Sequence, residues 1–175
     1  ESHFWELNYK SIFQESNSEK RLLLYKKYIT NLQKNFPTYF NILEQNDVQE
    51  FIMLYIDCLY EKVKINYKKE FNIKDLFQKC EEKWLTNYSP IQNIFYYQSI
   101  RQVQCSNCLN KNVNIEMSNI ICIEPNIDID TALDNYFQSH FQDDWICDKC
   151  NIISKTNRVS TYLSKLPKVI IICIF

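Results

Sequence analysis

The sequence predicts an α+β fold, in which a helical N-terminal part is followed by antiparallel strands that carry a four-cysteine ribbon. Three observations support this fold class. Apolar residues recur at helical intervals through the first part of the chain, β-branched and aromatic residues dominate after Ser89-Pro90, and two Cys-x-x-Cys pairs stand in the second half. At 175 residues, the chain is long enough for one domain with a hydrophobic core.

The first predicted helix spans about residues 18–35. Ser16 and Glu19 have the spacing of a capping box, in which each side chain accepts from the backbone amide of the other residue. Apolar side chains then recur at helical spacing as far as Pro37, and a proline disfavours helical geometry in the residue before it. Local signals therefore predict both ends of this helix.

A second helix is predicted at about 47–62, and a weaker third helix at about 73–84. Asp47 and Glu50 repeat the capping-box spacing, so Asp47 is expected to accept from the amide three residues further on. One apolar stripe follows these residues, which predicts a single buried face for the second helix.

The second half of the chain is expected to be mostly strand, interrupted by one short helix at about 130–139. The strand candidates are rich in β-branched and aromatic residues; they are 94–104, 113–123, 156–163 and 168–175. Because the chain contains no glycine, any turn with a positive φ must use Asn or Asp, the next most tolerant residues.

Charge and hydropathy argue against a nucleic acid partner and against a membrane span. Twenty basic residues stand against 21 acidic ones, and no Lys or Arg stripe is present to bind a phosphate backbone. The longest apolar stretch, 169–175, is far shorter than the roughly 20 residues that cross a bilayer. The N-terminal residues lack the zones of a secretory signal. We therefore expect no nucleic acid partner, no membrane span, and a cytoplasmic or nuclear location.

The two cysteine pairs predict a structural zinc site. Cys105-Ser-Asn-Cys108 and Cys147-Asp-Lys-Cys150 each place two sulfurs at the spacing that aims both at one tetrahedral Zn²⁺. Four sulfurs complete the coordination shell, so the site is expected to be structural rather than catalytic. The gap between the pairs exceeds the usual ribbon gap of about 15–20 residues, so a hairpin and the helix at 130–139 are expected to loop out between them.

The remaining cysteines do not suggest a nucleophile. Cys58 and Cys80 fall on apolar helix faces, and Cys122 and Cys173 fall in apolar strand runs, where a cysteine behaves as a small hydrophobe. The chain has only two histidines, His3 and His140, and we interpret His140 as a surface or packing residue. No catalytic residue is therefore assigned to this chain.

Five segments resemble the ubiquitin-specific proteases, in the order that this family has. The segment at 45–51 (Gln-Asn-Asp-Val-Gln-Glu-Phe) is similar to the family's glutamine-box helix; the others are 89–95, 103–108, 145–150 and 166–172. The resemblance covers about 40–175, whereas 1–39 matches only loosely. It implies part of a thumb-palm-fingers fold, with a helical thumb-like part at 1–88, zinc-ribbon fingers at 89–165 and the first palm strands at 166–175.

The resemblance also implies a partner and an activity. Ubiquitin or ubiquitinated proteins would be bound, with Asp47 and Glu50 at the positions of acidic residues that face ubiquitin's basic tail. The family cleaves the bond after ubiquitin's C-terminal glycine with a papain-like cysteine site, yet the chain shows no counterpart of its cysteine and histidine boxes. We therefore expect a portion of a cysteine-type deubiquitinase that is inactive alone. The alternatives are a catalytically dead ubiquitin-binding pseudo-protease and a zinc-ribbon scaffold without ubiquitin contact.

Overall fold

The computed structural model describes residues 11–35, 37, 47–65, 73–125, 128–154 and 156–174. The chain divides into two compact units, Glu1–Tyr55 and Ile56–Phe175. Three residues used in the sequence analysis, His3, Gln45 and Asn46, lie outside the described part.

Helix α1 spans Ser18–Asn35, which confirms the predicted bounds. Its capping residue differs from the prediction by one position, because Oδ1 of Asn17 accepts from the amides of Glu19 and Lys20, at 3.0 Å each. Asn is as good an N-cap as Ser, so the position of the helix start decides between them.

Helix α2 spans Val48–Val63, close to the predicted 47–62. Asp47 caps it as expected, but its Oδ1 accepts from the amide of Gln49 at 2.7 Å rather than from the amide three residues on. The predicted apolar stripe is present, since the rings of Phe51 and Tyr55 stack with centroids 6.2 Å apart and Ile56 is buried.

Helix α3 spans Leu76–Leu85 and buries Cys80 and Trp84, within the face predicted for the third helix. A short helix, α4, spans Gln92–Phe95 and occupies the beginning of the segment that the sequence predicted as strand. None of the described helices is long and apolar enough to cross a membrane.

The main sheet has four antiparallel strands in the order β2-β1-β7-β4. In chain order the eight strands are β1 Tyr97–Gln104, β2 Lys111–Ser118, β3 Ile121–Ile123, β4 His140–Gln142, β5 Trp145–Ile146, β6 Ile153–Ser154, β7 Asn157–Lys165 and β8 Ile172–Ile174. Strands β5 and β6 form a second antiparallel pair, whereas β3 and β8 pair in parallel. The prediction of antiparallel strands is confirmed for the main sheet, whereas the parallel pair β3–β8 departs from it.

Helix α5, Ile129–Phe137, interrupts the strands where a helix was predicted. It packs Ala132 on a core cluster that includes Tyr97 of β1 together with Ile121 and Ile123 of β3. Strands β2, β3, β4 and β5 accompany α5 between the two cysteine pairs, and in the described part of this region no two of these strands pair with each other. The expected helix is therefore present and the expected hairpin is not.

Buried hydrogen bonds of two glutamines connect α3 to the start of the sheet. Gln92 is fully buried; its Oε1 accepts from the amide of Ser89 at 2.6 Å, and its Nε2 donates to the carbonyl of Trp84 at 3.1 Å. Gln98, also fully buried, donates to the carbonyl of Cys80 at 2.9 Å. Gln92 is the first residue of α4, and β1 begins after this helix, at Tyr97.

Candidate metal centre

The four cysteines of the two pairs converge on one point. The sulfur atoms of Cys105, Cys108, Cys147 and Cys150 all lie within 4.8 Å of one another. Cys105 and Cys147 are fully buried, whereas Cys108 and Cys150 are half-buried. The predicted ligand set is thus assembled, although 109–146 separates its two halves.

Two matching turns aim these sulfurs. In the first turn, which joins β1 to β2, the amide of Leu109 donates to the carbonyl of Cys105 at 3.0 Å. In the second turn, which joins β5 to β6, the amide of Asn151 donates to the carbonyl of Cys147 at 2.8 Å. Each turn therefore brings its two cysteines onto the same side of a tight knuckle.

Both knuckles place a residue other than glycine in the left-handed region. The φ angle is 57° at Leu109 and 53° at Asn151; Asn87 and Asp144 also have positive φ. Three of these four residues are Asn or Asp, as the lack of glycine predicted. Leu109 is the exception, and this left-handed backbone conformation costs on the order of 1–3 kcal/mol in a residue other than glycine. The knuckle geometry overrides this local preference.

The spacing of the sulfurs fits a tetrahedral zinc ion. With Zn–S bonds of about 2.3 Å, tetrahedral ligands lie about 3.8 Å from each other. The sulfurs of Cys105 and Cys150 are 3.8 Å apart, and those of Cys108 and Cys147 are 3.6 Å apart. Four thiolates at these distances match a closed structural site and leave no position for a water nucleophile.

The local electrostatics favour one thiolate in particular. The backbone amide of Cys150 donates toward the sulfur of Cys147, and this bond, together with the amide of Lys149, lowers the Cys147 pKa to about 7. Amides that point at a sulfur stabilise its anionic form in the same way at other metal-binding knuckles.

The partner thiol responds in the opposite sense. The amide of Asn110 lowers the pKa of Cys108, but burial and the neighbouring sulfurs raise it more, to about 11. The neighbouring sulfurs act through hydrogen bonds that favour the protonated Cys108 thiol. Four thiolates this close together would need a cation to neutralise them. A divalent ion with affinity for sulfur is the cation that this cluster would hold.

A polar network outside the four sulfurs joins the two knuckles, and no pattern in the sequence predicted it. Oδ1 of the fully buried Asn157 accepts from the amide of Ser106 at 3.3 Å, and its Nδ2 donates to the carbonyl of Ser154 at 2.7 Å. The hydroxyls of Ser106 and Ser154 also bond each other at 2.5 Å. The only available signal was an asparagine at the start of a strand candidate, which is too common to single out.

The acidic residues predicted to contact ubiquitin lie in the other compact unit. Asp47 and Glu50 are both exposed at the first turn of α2. Asp47 also serves as the helix cap described above, so the structure gives it at least one structural role.

Two cysteines outside the cluster, Cys58 and Cys80, have raised pKa values. Burial raises the pKa of Cys58, and nearby Asp57 raises it further. Burial also raises the pKa of Cys80, more than the hydroxyl of Ser164 lowers it. His140 lies exposed on β4 with Nδ1 3.5 Å from the carbonyl of Gln138. Raised thiol pKa values disfavour the thiolate that a nucleophile requires.

The sequence model of the ubiquitin carboxyl-terminal hydrolase family matches residues 4–174. The chain belongs to this family. The resemblance to ubiquitin-specific proteases that the five segments indicated is thereby confirmed. No curated protein sequence matches the chain significantly.

Solved structures show the fold of this family member. A structure of the SAGA DUB module with Ubp8, Sgf11, Sus1 and Sgf73 aligns with a TM-score of 0.64 at 14% identity, over 94% of this chain and 34% of that chain. The same module bound to ubiquitin aldehyde aligns with a TM-score of 0.58 at 15% identity, over 90% of this chain and 33% of that one. A yeast SAGA module gives 0.60 at 14% identity, over 88% and 32%. The chain thus spans about a third of the solved chains that it matches.

Proposed function

We propose that this chain is the ubiquitin-gripping portion of a cysteine-type deubiquitinase. In this proposal the chain supplies a thumb-like helix with Asp47 and Glu50 and a zinc-stabilised finger region, while the catalytic residues are outside or lost from the chain. The observation that carries the proposal is the family match over residues 4–174. The likeness to Ubp8, which has been solved with ubiquitin aldehyde bound, supports it.

The division into thumb-like, finger and palm parts belongs to the same proposal. The helices of 1–88, the cysteine knuckles within 89–165 and the strand β8 within 166–175 agree with that order. Zinc would hold the fingers in shape, because the four thiolates have the number and spacing of a closed site. Binding of such a metal contributes directly to folding.

The chemistry of the described residues supports a binding role for this chain rather than a self-contained hydrolase. A cysteine hydrolase needs a thiolate with an imidazole in hydrogen-bond reach. Four of the eight cysteines occupy the cluster, and burial raises the pKa of Cys58 and Cys80. In this proposal the bond-cleaving step therefore does not use any of these six cysteines.

A ubiquitin titration tests the proposal. The purified chain, loaded with one equivalent of Zn²⁺, is titrated with ubiquitin and, in parallel, with ubiquitin that lacks its basic C-terminal tail. We expect saturable 1:1 binding to intact ubiquitin and weaker binding to the truncated form. Absence of binding by a folded, zinc-loaded chain would contradict the proposal and favour the zinc-ribbon scaffold.

A catalytically dead pseudo-protease is the second candidate. Both candidates bind ubiquitin, so activity has to separate them. The product of the complete gene is assayed with a fluorogenic reporter on the ubiquitin C terminus, and the chain itself serves as the inactive reference. Turnover by the complete product supports the deubiquitinase, and ubiquitin binding without turnover supports the pseudo-protease.

A further inference from the structure

The strands β3 and β8 carry the same tripeptide, Ile-Cys-Ile, in matching register. Cys122 of β3 pairs directly with Cys173 of β8, and both side chains are thiols. Residues opposite each other on neighbouring parallel strands point to the same face of the sheet. Ile121 and Ile123 are buried in the core cluster, so the two cysteines lie together on the other face.

The register places these cysteines at a separation that a disulfide spans. Neighbouring strands lie about 4.8 Å apart, and the Cα atoms of a disulfide are usually about 4.4–6.8 Å apart. The Cβ atoms must approach to about 3.8 Å, slightly closer than the strand spacing itself. The bond would therefore pull β3 and β8 together, and a bond formed under such tension is readily reduced.

Cys122 is also accessible to a small oxidant. It lines an open cavity of about 400 Å³ together with Glu124, Pro125, Asn135 and Tyr136. Both cysteines are half-buried rather than sealed in the core. A peroxide molecule can enter this cavity, whereas the fully buried sulfurs of Cys105 and Cys147 are shielded from solvent.

The geometry points to a reversible disulfide between Cys122 and Cys173, formed by reaction with a peroxide. The Cys122 thiolate attacks hydrogen peroxide; an S–O bond forms, the O–O bond breaks and hydroxide leaves, which yields a sulfenic acid. The Cys173 thiolate then attacks that sulfur; the S–S bond forms and a second hydroxide leaves. With the two thiol protons, both hydroxides become water, so two thiols are oxidised and one peroxide is reduced.

The bond would change how β8 is held. Strands β3 and β8 pair over three residues each. At the start of the pair, the amide of Ile121 donates to the carbonyl of Ile171, the residue before β8, at 2.9 Å. So short a pair opens readily in solution. A disulfide in its centre closes the loop from 122 to 173, which contains Cys147 and Cys150, and fixes β8 against the base of the finger region. This role goes beyond the proposed ubiquitin contact.

Peptide mapping of the zinc-loaded chain tests the inference. The protein is treated with a small excess of hydrogen peroxide, alkylated, and digested with trypsin and an Asp-specific protease. Cleavage yields peptide 112–127, with Cys122 alone, and peptide 169–175, with Cys173 alone. We expect the joined mass of these two peptides, and its loss after treatment with dithiothreitol.

Variants supply the controls. Cys122→Ser and Cys173→Ser should each abolish the joined peptide, whereas Cys58→Ser should leave it unchanged. Amide exchange across β8 should slow at least tenfold in the oxidised wild type and stay unchanged in both variants. If Cys122 and Cys173 are instead alkylated separately, are oxidised beyond the sulfenic acid, or link to a zinc-cluster cysteine, the inference is wrong.

Discussion

The side chain of Asn157 accepts from the backbone amide of Ser106, which links the start of β7 to the first cysteine knuckle. Its amide group donates at the same time to the carbonyl of Ser154, next to the second knuckle. Asn157 is fully buried, and a buried amide that uses both of its ends fixes both partners. One side chain therefore connects the two halves of the cysteine cluster.

Removal of this side chain should weaken metal binding. In Asn157→Ala both knuckles lose the side chain that hydrogen-bonds to them. Loss of a residue that positions the metal ligands typically costs about 10–100-fold in metal affinity. Competition with a chromogenic chelator at constant pH measures the Zn²⁺ affinity. Asn114→Ala is the matched control, because the exposed Asn114 bonds Glu116 on its own strand and does not contact either knuckle. Equal affinities in the two variants would contradict the role of Asn157.

Metal removal should unfold one knuckle before the sheet. The β5–β6 pair that carries Cys147 has only two residue pairs, which is too little to be stable alone in water. We expect chelation to expose the amides of 145–154 to hydrogen exchange, while β1 and β7, whose Val103 and Val159 pair in the buried centre of the sheet, stay protected. Exchange that rises equally in both regions would show that the metal holds the whole sheet instead.

Acid should weaken the start of α5 through Asp128. Its Oδ1 accepts from the amide of Thr131 at 2.7 Å and its Oδ2 accepts from the Thr131 hydroxyl at 2.9 Å. These bonds hold the pKa of Asp128 below its usual 3.8. A carboxyl group whose folded pKa is lowered stabilises the protein above its unfolded pKa, and this stabilisation disappears as the pH falls through the folded pKa.

The comparison with Asp128→Asn isolates this contribution. Asn retains the capping acceptor but does not titrate, so the stability difference between wild type and variant should shrink from pH 6 to pH 3. Urea unfolding at each pH measures it. Loss of any bound metal in acid would affect both proteins alike and would cancel in the difference. A constant difference over this range would exclude the charge of Asp128 as its source.

The buried hydrogen bonds of Gln92 should contribute strongly to the stability of the fold. In Gln92→Leu the amide of Ser89 and the carbonyl of Trp84 lose their buried partner, and each orphaned group costs about 1–3 kcal/mol. Gln138→Leu makes the same chemical change at an exposed position, where about 0.5 kcal/mol or less is expected. Denaturant unfolding of both variants checks the difference. If Gln92→Leu and Gln138→Leu unfold at the same denaturant concentration, water has replaced the lost hydrogen bonds of Gln92.

The features that the sequence predicted well are those that local chemistry determines. Helix α1 has the predicted bounds because a cap precedes it and Pro37 follows it. The cysteine cluster was predictable because its ligand types and spacing reflect tetrahedral coordination, which does not depend on the fold around it.

The features that it missed depend on contacts between distant segments. Asn157 and Gln92 make their bonds to residues that only the folded sheet brings near. The parallel pairing of Cys122 with Cys173 likewise follows from long-range register, which is not encoded in either Ile-Cys-Ile tripeptide. Periodicity shows that a strand exists, but not which strand lies beside it.

Asp47 caps α2 and Glu50 lies on its first turn, and both side chains are exposed. If ubiquitin's basic tail docks there, the double variant Asp47→Lys with Glu50→Lys should weaken binding, and a desolvated charge pair accounts for about 2–5 kcal/mol of such an effect. The same change removes the bond from Gln49 to Asp47, and loss of a helix cap costs about 1 kcal/mol of stability.

A second double variant separates charge from capping. Asp47→Asn with Glu50→Gln keeps an oxygen for the amide of Gln49 but deletes both charges, so it should bind ubiquitin more weakly while its unfolding stays close to wild type. Added salt should weaken wild-type binding and leave this variant nearly unaffected, because screening acts only on charges that are present. Unchanged affinity in both folded variants would leave Asp47 as a helix cap alone and would place the ubiquitin contact elsewhere on the chain.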